Sequence, residues 1–288
     1  MITYVSVPGT GANWAWHMPG DIGRALTDPW LIARGECYGV PHGMNYYWQG
    51  AQYPVALFPM RPSILAGVDE VVRIMLEQHP SGEFVLCGYS QGAVVVCMVW
   101  RYEILDPNGR LHHRLKDCLG VITYGNPMRA PGVAYGNLLA GKKIPGKLNG
   151  IVTGGVSGPA NLKPSECVFP QGHPMAGKPA VIDFANEGDL YTHSPCGATP
   201  WDKETEVGHN QTMVYELVLD FTGGDVMAFL KEIIEIVTMP MTQLLPLFLA
   251  IWGGLKFLGS GTVPHGAYDP GPAIRYLDDL GKRKRVAA

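Results

Sequence analysis

Ser90 lies between two glycines in the segment GYSQG (88–92), which has the spacing of a nucleophilic serine in a tight turn. Because 37 of the 288 residues are glycine, the spacing also arises by chance, and the flanking residues decide its meaning. The apolar run 83–88 before the serine predicts a strand, and the apolar run 93–105 after it predicts a helix. A nucleophilic serine requires such a strand-to-helix turn, with glycines where a side chain would clash. The alternative is a serine in an ordinary strand–turn–helix connection.

A serine that attacks an acyl carbon needs two N–H donors for the oxygen that becomes negative. The backbone N–H of Gln91 is predicted to supply one, because Gln91 directly follows the nucleophile, where the N-terminus of the next helix points free N–H groups at the serine oxygen. Thr10 is predicted to supply the other, because it lies in the loop PGTG (8–11) after the first predicted strand. The alternative for this loop is a plain glycine-rich turn.

An orienting acid should follow the serine along the chain, in a loop just after a later strand. Asp189 fits, because it comes after the strand-like run AVIDFA (180–185) and opens a loop. Asp183 lies inside the same run, and Asp202 has no predicted strand before it. Asp189 is therefore the predicted acid.

Three histidines beyond Asp189 could act as the base: His193, His209 and His265. His193 lies so soon after the acid that little chain is left to carry it to the other side of Ser90. His209 opens a predicted helix and fits a capping or structural role. His265, in a loop after a long apolar region, is the favoured base, and the other two remain alternatives.

The elements that must position these residues alternate along the chain. Residues 63–80 have helical apolar spacing, with Ser63 as the predicted N-cap, and residues 39–62 are predicted to form a loop. Strands separated by helices predict a parallel sheet built from strand–helix–strand units. The predicted strands are Thr3–Val7, Leu31–Tyr38, Glu83–Gly88, Cys118–Tyr124 and Ala180–Ala185.

The composition predicts a globular domain with a large core and gives no indication of its oligomeric state. Apolar residues make up 47% of the chain, and the net charge of −3 argues against nucleic-acid binding. The basic run 282–285 predicts a flexible tail over 281–288, with a polyanion-binding patch as the alternative. The six cysteines have no C-x-x-C spacing, so no zinc or thioredoxin-type site is expected, and a Cys167–Cys196 disulfide stays open.

The most apolar region, 226–258, contains charged residues and is broken by Pro240 and Pro246. These features predict amphipathic helices packed on the domain and no stable transmembrane segment. A sharper hypothesis is that part of this apolar surface faces a lipid substrate. The opening residues have no basic segment followed by a long apolar one, so no secretory signal peptide is expected.

Several stretches carry a resemblance to a known family. The segment GYSQGA (88–93) resembles the serine turn of cutinase-like serine esterases. More closely, the chain is similar to the lysin B proteins of mycobacteriophages, which are mycolylarabinogalactan esterases, from residue 3 to about 275. The further stretches that support this are VPGTGANW (7–14), YPVALFPM (53–60), GVITYGNPMR (120–129) and NEGDLY (186–191).

The resemblance implies a cutinase-like α/β-hydrolase fold with a central parallel sheet. The whole chain, 1–288, would form one domain, with a helical linker insertion at 205–260 between the acid and the histidine. Carried over by position, the implied site has Ser90 as nucleophile, Asp189 as acid, His265 as base, and Thr10 and Gln91 as oxyanion donors.

The implied reaction is hydrolysis of the ester between mycolic acids and arabinogalactan, with no cofactor and no metal ion. The implied partner is a cell-wall glycolipid. The protein would be made in the host cytoplasm without a signal peptide and would act on the host wall or outer membrane after release. The N-terminal peptidoglycan-binding domain of some relatives is not expected here, and the cysteines do not have the cutinase disulfide spacing around the acid loop.

Other functions fit parts of the same pattern. A cutinase or lipase-type esterase would use the same three residues on triglycerides or short esters, and an acyltransferase would differ in the acceptor. A non-catalytic lipid- or glycan-binding relative is a further alternative, although a binding module need not keep the order Ser, Asp, His.

Overall fold

A five-stranded parallel sheet lies at the centre of the computed structural model, which describes residues 1–27, 45–148, 150–196, 206–222 and 264–286. Its strands, in spatial order, are β2 (Tyr46–Gly50), β1 (Ile2–Val7), β3 (Phe84–Tyr89), β4 (Cys118–Tyr124) and β6 (Val181–Phe184). Two very short strands, β5 (Thr153–Gly154) and β7 (Ser194–Pro195), pair antiparallel beside it.

The described α-helices lie between the strands and after them. They are α1 (His17–Thr27), α2 (Met60–Arg73), α3 (Gln91–Met98), α4 (Tyr135–Leu139), α5 (Glu206–Asp220) and α6 (Gly271–Val286). Wider π-type turns extend α2 over Ile74–Gln78 and α3 over Val99–Leu105. Short 3₁₀ turns are formed by His112–Asp117, Gly158–Ala160 and Pro164–Cys167.

Helices cover both faces of the sheet, and this explains why its central strands are buried along their whole length. Side chains alternate across the strand plane, so Val5 and Leu86 pack under α2 and α3. Their neighbours Tyr4 and Val85 point to the opposite face, under α1 and α6. The sheet therefore has an apolar layer on each of its two faces.

The strand order reverses between β1 and β3. The chain leaves β1 toward β2 on one side, and it leaves β3 toward β4 on the other. Ligand sites of parallel sheets form where the strand order reverses in this way. The loop after β1 carries Thr10 and the turn after β3 carries Ser90, so the two predicted parts of the site start at the same edge.

Four predicted strands are confirmed, with ends shifted by at most one residue, and so is the helix that follows Ser90. The loop predicted over 39–62 is wrong in part, because residues 46–50 form strand β2, parallel to β1 and last in the order of the described strands. This segment is rich in aromatic residues, which favour strands, and the surrounding glycines and prolines masked that preference. One of its side chains, Tyr46, also bonds to helix α6, through its hydroxyl and the Leu277 carbonyl (2.6 Å).

Ser63 is not the N-cap of the helix over 60–73, which begins three residues earlier, after Pro59. Its hydroxyl accepts a hydrogen bond from the Ala56 N–H (2.9 Å) and donates one to the Gln91 side-chain oxygen (3.2 Å). Ser63 therefore ties α2 to the residue after Ser90, and this tertiary contact replaces the predicted capping role.

Two further predictions need correction. Helix α6 runs to Val286, so the basic run 282–285 lies within a helix and not in a flexible tail. Cys167 and Cys196 are both buried free thiols, so no disulfide joins them.

Several predictions fall on residues outside the described part of the chain. These are the strand Leu31–Tyr38, Cys37, Asp202, the apolar region 226–258 and most of the helical insertion 205–260. Within the insertion, the structure describes residues 206–222, which are helix α5 and the two residues after it. Among the described residues, no helix is long and apolar enough to cross a membrane.

Candidate active site

Ser90 occupies a strained turn between β3 and α3. Its φ of 54° lies in the left-handed region, where a residue with a side chain is uncommon, and ψ is −117°. The neighbouring backbone comes very close: a Cβ on Gly88 would lie 2.2 Å from the Gly92 carbonyl oxygen, and one on Gly92 would lie 2.3 Å from the Val7 oxygen. Only glycine fits at these two positions, which gives the GYSQG spacing its physical reason.

Three side chains that are far apart in the sequence form a line of hydrogen bonds. Ser90 Oγ lies 3.0 Å from His265 Nε2, and His265 Nδ1 lies 3.0 Å from each carboxylate oxygen of Asp189. The Asp189 side chain is fully buried, and 11% of the His265 side chain is exposed. The arrangement allows the imidazole to take a proton from the serine while the carboxylate holds the opposite ring nitrogen.

The surroundings of Asp189 favour its charged form. Burial alone would raise the pKa of this carboxyl, but the adjacent His265 and the hydrogen bonds from His265, Tyr268 and the Tyr191 N–H lower the pKa below its ordinary value. An ionised carboxylate can both orient the imidazole and stabilise the imidazolium that forms when the serine loses its proton.

The His265 ring is held on several sides. The Tyr191 ring lies 4.4 Å from it and the Tyr89 ring 5.3 Å from it, between ring centres. The Tyr89 hydroxyl also donates to the His265 carbonyl (3.0 Å). Gly125, with φ of 57°, borders the ring so closely that a Cβ there would lie 2.6 Å from Cε1.

The other candidate histidines have different surroundings. His193 Nδ1 accepts the Gly188 N–H (3.2 Å), and its Nε2 then donates to the Gly146 carbonyl (3.1 Å), which is a structural role. His209 is exposed on helix α5, beside Pro159. The structure thus brings His265 against Ser90, and it gives His193 other partners.

Asp183, which lies inside the strand before the acid loop, has other partners. It is buried within β6, and its carboxylate accepts a hydrogen bond from the Asn126 side chain (2.8 Å). Burial raises the pKa of Asp183 to about 7, although the buried Arg129 guanidinium acts in the opposite direction. Asp183 and Asp189 therefore differ in the direction of their pKa shifts. Burial dominates at Asp183, whereas His265 and the hydrogen bonds outweigh burial at Asp189.

We expect Asp183→Asn to become more stable relative to the wild type as the pH rises. The folded pKa of about 7 lies above the unfolded one, so the stability this carboxyl contributes is complete below the unfolded pKa and is lost as the pH rises through about 7. Each pH unit of that interval changes the free energy of unfolding by about 1.4 kcal/mol. Asparagine stays neutral, so urea unfolding should favour the variant by about 2–3 kcal/mol more at pH 8 than at pH 5. Parallel pH profiles for the two proteins would contradict this assignment.

The two candidate oxyanion donors belong to the turn after β3 and to the loop after β1, which comes close to Ser90 at Gly9. Gln91 is the first residue of α3, and its side chain is held by Ser63 and by the Ala56 carbonyl (2.8 Å), so its backbone N–H is the group that can face a substrate. Thr10 is buried in the loop after β1. The adjacent Gly9 approaches so closely that a Cβ on it would lie 3.3 Å from the Ser90 Cβ.

Sequence reasoning missed two residues that join the acid loop to the histidine loop. The Tyr268 hydroxyl donates to Asp189 Oδ2 (2.5 Å), and the Asn186 side chain donates to the carbonyls of Pro264 (2.8 Å) and Ala267 (3.1 Å). The only signal for Asn186 is its place in the segment NEGDLY, and a tyrosine that contacts a carboxylate has no characteristic spacing. Within the described ranges, no group of three or more His, Cys, Asp or Glu residues is arranged to hold a metal ion.

Comparisons with known proteins agree with this geometry. No family model matches the chain. The chain is 31% identical to Endolysin B of Mycobacterium phage D29 over 248 residues, which cover 82% of this chain and 87% of the relative. It is 30% identical to Endolysin B of Mycobacterium phage L5 over 243 residues, with 81% and 86% covered.

A solved structure extends the likeness to the fold. The crystal structure of lysin B from mycobacteriophage D29 superposes with a TM-score of 0.64 at 28% identity, covering 96% of this chain and 98% of that one. The predicted α/β-hydrolase fold with a central parallel sheet is confirmed by this match and by the strand order. On the identity and coverage of these relatives, the chain belongs to the lysin B (endolysin B) family.

Proposed function

We propose that the protein is a serine esterase that hydrolyses the ester bond between mycolic acids and arabinogalactan in the mycobacterial cell wall during phage-induced lysis. The observation that carries the proposal is the line of 3.0 Å contacts from Ser90 through His265 to Asp189. Membership of the lysin B family supports the cell-wall substrate, and it favours that substrate over triglycerides or short esters.

In the first half of the reaction the serine becomes acylated. Ser90 Oγ attacks the mycolyl carbonyl carbon, and its proton passes to His265 Nε2, which lies 3.0 Å away. The carbonyl oxygen becomes negative and is held by the backbone N–H of Gln91 and by Thr10. His265 then gives its proton to the departing arabinose oxygen, the ester C–O bond breaks, and the mycolyl group remains on Ser90.

In the second half water releases the acid. His265 Nε2 takes a proton from a water molecule, whose oxygen attacks the acyl carbon and forms a second oxyanion at the same donors. The bond to Ser90 Oγ breaks, the proton on His265 returns to the serine, and free mycolic acid leaves. Asp189 stays ionised throughout and balances the positive charge that appears on His265 in each half. These steps use side chains, backbone N–H groups and water.

The proposed place of action follows from the substrate. The protein would be made in the cytoplasm of the host and would reach the mycolate layer of the wall after release. The product, mycolic acid, is apolar, and the leaving group is a polysaccharide. The site must therefore contact a lipid chain on one side and a sugar polymer on the other.

The function can be tested on isolated mycobacterial mycolylarabinogalactan. The wild-type protein should release free mycolic acids, detected by mass spectrometry, and Ser90→Ala should release none above background. Triolein in a parallel assay distinguishes the lipase alternative. Fast cleavage of triolein without release of mycolic acid would replace the proposed function by that alternative.

A further inference from the structure

The buried carboxylate of Asp189 is held by donors besides the histidine. The Tyr191 backbone N–H donates to Oδ1 (3.0 Å), and the Tyr268 hydroxyl donates to Oδ2 (2.5 Å). Because the Asp189 side chain has no exposed surface, its oxygens depend on protein donors for their hydrogen bonds. Tyr268 is therefore part of the solvation of a buried negative charge.

An ionised carboxylate only accepts hydrogen bonds, so the Tyr268 hydroxyl donates its proton to Asp189. The hydroxyl oxygen also accepts the Asn186 backbone N–H (3.3 Å). Burial first, and then the nearby Asp189, raise the pKa of Tyr268, so the phenol keeps its proton at neutral pH. Its ring packs edge-on against Tyr124 (5.7 Å between centres), which limits its movement.

Tyr268 lies three residues beyond His265, on the same loop. The Asn186 side chain holds the backbone of this loop at Pro264 and Ala267. The acid and the base are thus joined twice, once through their own contact and once through Tyr268 and Asn186.

We propose that Tyr268 is a positioning residue, which holds the Asp189 carboxylate in line with Nδ1 of His265 and so sets the basicity of the imidazole. It acts through Asp189 and does not touch the substrate. The inference rests on the proposed function, since it assigns a role within the same site. A hydrogen bond from a neutral donor to a buried carboxylate is strong enough to affect both the rate and its pH dependence.

The test is Tyr268→Phe, assayed with p-nitrophenyl butyrate across pH. We expect kcat to fall by about 10-fold to 100-fold with little change in KM, because a hydrogen bond to a charged group is lost. We also expect the acidic limb of the kcat/KM profile to move to higher pH. Without the Tyr268 hydroxyl, the negative charge of the Asp189 carboxylate is no longer shared with a second donor. The carboxylate then interacts more strongly with the imidazole, which binds its proton more tightly. The other groups near His265 remain in place: Tyr89, Tyr191 and, beyond Tyr89, His17.

The matched control is Tyr46→Phe, which removes another tyrosine hydrogen bond, to the Leu277 carbonyl (2.6 Å), between β2 and α6. This variant should lose stability but keep the wild-type pH profile. A double-mutant cycle separates the mechanism further. In an Asp189→Asn background, Tyr268→Phe should lower the rate no further if it acts through Asp189, and a general structural role would lower it again.

The outcomes distinguish this inference from the proposed function. If Ser90→Ala is inactive while Tyr268→Phe has the wild-type rate and pH profile, the positioning role is wrong and the esterase function stands. If Ser90→Ala is fully active, the proposed function itself is wrong. Should Tyr268→Phe not fold, difluorotyrosine placed at 268 keeps the ring and donates more strongly. It should move the acidic limb to lower pH, and an unchanged limb would overturn the inference.

Discussion

Replacing Ser90 by alanine is expected to lower kcat/KM for p-nitrophenyl butyrate by about 10⁴-fold or more, since the oxygen that forms the acyl-enzyme is removed. The fold should be retained, because alanine must adopt the same left-handed φ as serine and so adds no backbone strain. The contact that is lost is the 3.0 Å hydrogen bond to His265. Initial rates, together with thermal unfolding of both proteins, provide the measurement.

A companion pair of variants tests the base in the same assay. His265→Ala should lose activity to a similar degree as Ser90→Ala, because it removes the proton acceptor. His209→Ala, the control on helix α5, should retain the wild-type rate. Activity that survives in Ser90→Ala, or that depends on His209 and not on His265, would contradict the assignment.

Gly125→Ala is expected to lower kcat by about 100-fold, because displacement of a catalytic group by about 1 Å has effects of this size. The new Cβ would lie 2.6 Å from Cε1 and 2.9 Å from Nδ1 of His265, so the imidazole must move away from Asp189 or Ser90. The left-handed φ of 57° adds a backbone penalty of about 1–2 kcal/mol. Steady-state kinetics and urea unfolding measure the two effects separately.

The matched control is Gly132→Ala, which has a similar φ of 68° but leaves its new Cβ 3.6 Å from the nearest atom, Val152 Cγ1. It should lose stability by the same backbone penalty and keep its activity. If both variants lose activity equally, the loss reflects backbone strain and not the displacement of His265.

The strands of the fold were predictable where a short apolar run ends in turn residues. Residues 118–124 were predicted to the residue, because the run stops at Gly125-Asn126-Pro127 and buried parallel strands consist of such runs. Strand β2 was missed, because three of its five residues are not fully buried and its apolar pattern is weaker. Ser63 shows a further limit: a serine before a helical pattern looks like an N-cap, and only a tertiary partner, Gln91, reveals its place.

The sequence by itself predicted the turn that holds Ser90, the loop that carries Asp189, and His265 as the favoured one of three candidate histidines. These features depend on local spacing, glycine and strand ends, which neighbouring residues specify. The tertiary structure decided the position of His265 against Ser90, 175 residues away, and the contacts of Tyr268 and Asn186 with the two loops. It also decided the opposite pKa shifts of Asp183 and Asp189, six residues apart. A pKa depends on burial and on the donors that surround a carboxyl in space, and the spacing of residues along a chain does not record either.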